Sequence, residues 1–182
     1  GSAASAGYQT ATRMVVFFIM PAWGMSNAVA TLVGQNLGAS LPQRAEESVK
    51  ITMKYNVVFM AIVTLIFLFF ARPLAAMFIP IAQTEQLEYA ALALQIISSG
   101  YIFYGIGMVV TQAFNGAGDT KTPTWVYFFG FWVFQIPFAW LLHRYTTIGV
   151  TGVFIAVPVA ETVMAVIVFL FFRKGTWKTV SV

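Results

Sequence analysis

Five apolar runs divide this chain, each near the roughly 20 residues needed to cross a bilayer's hydrocarbon core, and they dictate what it can fold into. They span residues 14–36, 51–70, 86–115, 123–142 and 150–172 and are designated A to E. Lipid offers no hydrogen bonds, so each run must satisfy its amides internally, which a helix does. The expected class is all-α, a polytopic transmembrane bundle of five membrane-spanning helices. Charged side chains are 9% of the 182 residues and hydrophobic ones 59%, against about 25% charged in soluble domains. A soluble fold could not bury that much apolar surface, whereas lipid accepts it on every helix face.

The net charge of +4 is carried by Lys and Arg scattered at segment ends, a pattern that fits membrane orientation and does not call for nucleic acid. The side holding the A–B loop, the C–D loop and the C-terminus carries Arg44, Lys50, Lys54, Lys121, Arg173, Lys174 and Lys178. The other side carries Arg13, Arg72 and Arg144, so the positive-inside rule predicts a cytoplasmic C-terminus. There is no cysteine and His143 is the single histidine, which excludes disulfide frameworks, thiolate chemistry and multi-histidine metal sites. No metal or cofactor is expected. HExxH, a Lys-bearing phosphate loop and a serine–histidine–acid constellation are all absent, so an enzyme is not expected either. The first residues, GSAASAGYQTATR, lack the layout of a signal peptide, and a start without Met predicts a piece of something longer.

Local signals place the elements. Pro21 predicts a kink in A, and Gly34-Gln-Asn-Leu-Gly38 predicts its exit, with Gly38 as a left-handed cap. Ser40-Leu-Pro-Gln43 reads as a capping box opening B, with Glu46 and Lys50 paired one turn apart. B should enter the membrane near Tyr55 and leave at Phe70, before Arg72–Pro73 and an apolar interfacial turn, LAAMFIPIAQ. C is predicted to start at Thr84 as N-cap, with Glu85 and Glu88 at the positive end of the dipole, and to continue as one long helix to about Phe114. It breaks at Gly116-Ala-Gly118-Asp119. Thr122 as cap and Pro123 in the first turn should open D, which contains Pro137, while E contains Pro158 and Glu161.

PAWGMSNAVATLVGQNLGASLPQRA, in A and its exit, and TQAFNGAGDTKTP, at the end of C, resemble the multidrug and toxic compound extrusion (MATE) family. A Gly-Gln-x-x-Gly-Ala exit followed by a basic residue, then a Gly-x-Gly-Asp-x-x-x-Pro exit two segments later on the same side, is specific. The resemblance implies one half of a pseudo-symmetric transporter, the C-terminal lobe over residues 1–182 lacking its first helix, with A to E as helices eight to twelve. The missing N-terminal lobe is then a partner, and the substrate cavity lies between the lobes. One branch of the family has an essential acid midway along the helix equivalent to C. Here Tyr101-Ile-Phe-Tyr-Gly-Ile-Gly107 has none, so that branch's sodium site is not carried over.

Glu161 is the one acid deep inside a span. A mid-membrane carboxylate costs a few kcal/mol, which demands a partner or a function. It reads either as an ion-coupling acid or cation contact, or as a protonated or hydrogen-bonded glutamate that ties E to a neighbouring helix. Asn27, Gln95, Tyr101, Tyr104, Gln112, Asn115 and Gln135 either line a cavity or bond between helices. Gly100, Gly105 and Gly107 read as packing positions. Asp119 with Lys121 forms a local turn bond or a gate, and Pro21, Gly34, Gly38, Gly116, Gly118 and Pro158 are hinge or turn candidates. The function expected from the resemblance is part of a secondary antiporter in the bacterial inner membrane. It would export small amphipathic cations for H+ or Na+ by alternating access. The alternatives are a lipid or lipid-linked oligosaccharide flippase of the same superfamily and a non-transporting helical scaffold.

Overall fold

The first helix begins well before the first predicted span. A computed structural model describes residues 1–179, so the end of the expected lobe, 180–182, lies outside the described residues. Helix α1, Ser2–Gly38, has 37 residues, or about 55 Å at 1.5 Å per residue. Its early turns form because Ala4, Gly7 and Ala11 make a buried stripe of small side chains with good helix propensity at the alanines. At Gly7 an added Cβ would stand 2.6 Å from the Gln86 carbonyl, so α1 and the third helix touch backbone to backbone. The helix runs on through Pro21. Its exit corrects the expectation for Gly38, which is the last helical residue. The left-handed position is Ser40, at φ 60°. Bonds from Ser40 N to Leu37 O (2.9 Å) and from Leu41 N to Asn36 O (2.8 Å) complete a Schellman turn.

Because Ser40 is used in that turn, the capping box does not form. Helix α2, Pro42–Ala76, starts from Leu41 with proline at the first position and no side-chain cap. The Glu46–Lys50 pair is present, at 2.5 Å. At the far end α2 continues past Phe70 through Pro73 to Ala76, less than two further turns, with Ala71 and Ala75 buried. Arg72 Nε reaches Glu88 Oε1 at 2.8 Å, and the turn after α2 leaves Met77, Phe78 and Ile81 exposed while Ile79 is buried.

Segment C is two helices. Helix α3, Thr84–Ser98, and helix α4, Tyr101–Gly116, meet at a 55° bend. An overlong apolar stretch is accommodated by breaking it at Ser99–Gly100. A Cβ on Gly100 would lie 2.7 Å from Pro158 Cβ, so only glycine lets the bend seat against the last helix. Thr84 is not the cap of α3; Gln83 is, and the Thr84 hydroxyl bonds back to Ile81 O. The exit of α4 repeats that of α1, with Gly118 left-handed at φ 83° and Asp119 N bonded to Phe114 O at 3.0 Å. Gly116 lies inside the helix against Ala30, whose carbonyl a Cβ would meet at 2.3 Å, and Gly34 faces Gly116 O in the same crossing.

Helix α5, Lys121–Phe129, starts one residue before the Thr122 cap expected. Thr120 is the N-cap, and the Asp119 carboxylate just before it makes the local turn bond, accepting from Thr122 N at 3.1 Å and Thr122 Oγ1 at 2.6 Å. A wide π turn, Gly130–Gln135, leads without a break into helix α6, Ile136–Tyr145, so Pro137 lies inside the Lys121–Tyr145 span, just after the π turn. Helix α7, Thr151–Lys174, ends at left-handed Gly175. Four membrane-length units result: α1, α2, α5 through α6, and α7. With the bent α3–α4 pair they make five among the described residues. One apolar cluster centres on Phe67, Leu87 and Leu94, a second on Val33, Val109, Phe114 and Trp177.

Candidate functional site

Four elements converge on Glu161. Trp23 and Asn27 stand one turn apart on α1, Tyr104 and Gln112 two turns apart on α4, and Tyr127 and Phe131 one turn apart where α5 enters the π turn. Helix α7 supplies Glu161 from the turn after Pro158. Together these side chains line an open chamber of about 400 Å³. Among the described residues, no hydrogen bond or ion pair reaches the half-buried Glu161 carboxylate, so the tie to a neighbouring helix read from sequence is not made. The amides bond each other: Gln112 Nε2 donates to Asn27 Oδ1 at 2.7 Å, and Asn115 Nδ2 donates to Gln112 Oε1 at 3.1 Å.

Glu161, Trp23 and Tyr104 also line a second, narrower compartment of about 170 Å³. Its other walls are apolar, among them Val16, Ile19, Ile97 and Val157, with the ring of Tyr101. Tyr101 is buried and its ring meets Phe67 edge to face at 6.0 Å. Pro158 and Gly100 close this compartment where α7 meets the bend.

Three of the sequence candidates lie outside both linings: Asn115, which reaches the chamber only through Gln112, and Gln95 and Gln135. Gln95 bonds α3 to α2 through Leu68 O at 3.0 Å and also lines a separate apolar pocket between α3, the bend and α7. Gln135 ends the π turn, its Oε1 buried and without a donor among the described residues. Sequence reasoning missed Trp23, Tyr127 and Phe131, although each stands four residues from a partner on the same face. It also missed Asn56, fully buried, which donates to Ser26 Oγ at 3.0 Å and Gly105 O at 3.3 Å and so fastens α2 to α1 and α4 behind the chamber. Reading Tyr55 as the membrane boundary hid it.

Among the described residues, seven α-helices, two Schellman exits on one side and a bent third span set the context for comparison with known proteins. The MatE family model matches residues 1–141. The chain belongs to the MATE family. The match stops within α6, so Glu161 lies beyond it, but MATE relatives extend over α7. A probable multidrug resistance protein NorM from Rhodopseudomonas palustris is 30% identical over 95% of this chain and 37% of its own length. An FAD transporter from Shewanella oneidensis is 25% identical over 90% of this chain and 35% of its own. An outward-facing MATE multidrug resistance transporter structure superposes with a TM-score of 0.90 at 24% identity, covering all of this chain and 40% of the other. The chain therefore spans little more than a third of the curated MATE relatives, and its fold is that of part of a MATE transporter.

Proposed function

We propose that this chain is the C-terminal lobe, without its first helix, of a secondary antiporter that exports small amphipathic cations in exchange for H+ or Na+. The observation that carries the reading is the unpaired Glu161 carboxylate in a chamber walled by aromatic rings. A carboxylate so placed can take up an ion or an organic cation in turn, and the rings attract cations through their faces. No Lys or Arg lines either compartment, which favours a cation over an anionic or lipid-linked cargo. The N-terminal lobe completes the cavity, and rocking of the two lobes alternates access. The C-terminus is cytoplasmic in a bacterial inner membrane; the excess of Lys and Arg at that end of the spans supports that side.

The test is efflux of a fluorescent organic cation from vesicles holding the full-length protein, under an imposed proton or sodium gradient. One gradient should drive accumulation against the concentration of the cation. Equal flux with and without both gradients would overturn the reading.

A further inference from the structure

At the end of the bundle opposite the C-terminus, an arginine borders an uncovered apolar groove between α1 and the end of α2. The groove has a volume of about 670 Å³, its walls include Arg13, Phe17, Phe18, Leu74, Met77 and Phe78, and none of its residues lines either compartment at Glu161. Along α1, Arg13 is about 38 Å from Gly38, which sets it at headgroup level across a hydrocarbon core of about 30 Å. Among the described residues no hydrogen bond or ion pair engages its guanidinium, whereas Arg72 at the same end is taken by Glu88 at 2.8 Å. No acid lines the groove, and the Thr10 hydroxyl in its wall already donates to Ala6 O at 3.1 Å, so Arg13 is the donor left open to an anion. Deeper in the span the same face of α1 continues as Phe17, Met20 and Gly24. Phe17 is 71% exposed, Met77 in the opposite wall is 74% exposed, and a Cβ on Gly24 would meet nothing within 4 Å.

We propose that this groove binds one anionic phospholipid, with its phosphate on Arg13 and an acyl chain running past Phe17 and Phe78 toward Gly24. A guanidinium grips phosphate oxygens through two parallel N–H bonds. A free phosphate would have only those bonds, in water, whereas an acyl chain on the same molecule also covers the apolar walls. The lipid belongs to the leaflet opposite the C-terminus and bridges α1 to the turn after α2. Phosphatidylcholine carries the same phosphate, but its choline cancels the charge. An anionic headgroup is therefore preferred about fivefold, the effect of one basic residue at a charged membrane surface. Arg13 disfavours a cationic cargo in the groove, so its role is separate from that of the chamber at Glu161.

The experiment is photolabelling of the full-length protein in nanodiscs. Phosphatidylglycerol and phosphatidylcholine, each with the same diazirine on the acyl chain, are compared, and labelled peptides are mapped by mass spectrometry. At equal mole fraction phosphatidylglycerol should label residues 13–18 and 74–78 about fivefold more than phosphatidylcholine does. Arg13→Gln should bring its labelling down to the phosphatidylcholine level. Arg144→Gln, which removes a positive charge from the same end of the bundle but outside the groove, should leave the labelling unchanged. Equal labelling by the two lipids in wild type overturns the proposal, as does an equal response to the two substitutions. Absence of label from both stretches also overturns it, because another part of the full-length protein then covers the groove. None of these results depends on transport, so gradient-driven efflux separately decides the antiporter reading.

Discussion

At the scale of single residues, glycine acts here mainly by letting backbones touch. Gly116 faces the Ala30 backbone, with 2.3 Å between a built Cβ and the carbonyl oxygen, and a helix backbone cannot step aside. Gly130 has a comparably short approach, 2.1 Å, but to Met164 Sδ, the flexible part of a long side chain. Gly116→Ala should therefore destabilise the full-length protein by about 1–3 kcal/mol, and Gly130→Ala by clearly less. Thermal unfolding midpoints of the two variants in one detergent check the order, and equal losses would contradict it. Ser40 shows the converse case. It takes a left-handed φ that glycine favours, within a turn whose two backbone bonds hold it there.

Among elements, the segment after α7 does more than its short basic sequence suggested. Trp177 is fully buried, stacks on Phe172 at 5.1 Å and donates to Phe172 O, while Lys178 and Lys50 both bind Glu46 at the start of α2. The clip ties the last helix to the second. Trp177→Ala should cost about 3 kcal/mol or more of stability. Lys178 first, and Lys50 second, hold the Glu46 carboxyl below its usual 4.5. Because the folded value is the lower one, the clip's stabilisation is complete above the ordinary carboxylate range and is lost as pH falls through the lowered value. Unfolding midpoints measured against pH should fall on acidification, and less steeply in Lys178→Met. The Glu46–Lys50 pair was legible in sequence because helical spacing is local. The Lys178 contact was not, since 132 residues separate the partners. The same divide explains C: it read as one long helix because its bend at Gly100 depends on Pro158 from another helix.

For the whole molecule, apolar run length was enough to read five spans, and the two helix exits were enough to read the family. The site was partly legible. Asn27, Tyr104, Gln112 and Glu161 meet because each lies mid-span on a helix facing the same gap, whereas Trp23, Tyr127 and Phe131 looked like any other aromatic residue in a lipid-facing sequence. The α5 to α6 unit explains why: among its described residues only Pro123 is buried, so most of its rings do face outward. The central claim is that Glu161 couples the ion to the cargo. The most direct measurement compares gradient-driven efflux by the full-length protein and its Glu161→Gln variant in vesicles, at matched protein content. Loss of about tenfold or more in driven efflux, with the variant still folded, is the predicted result. Efflux at the wild-type rate would contradict the account.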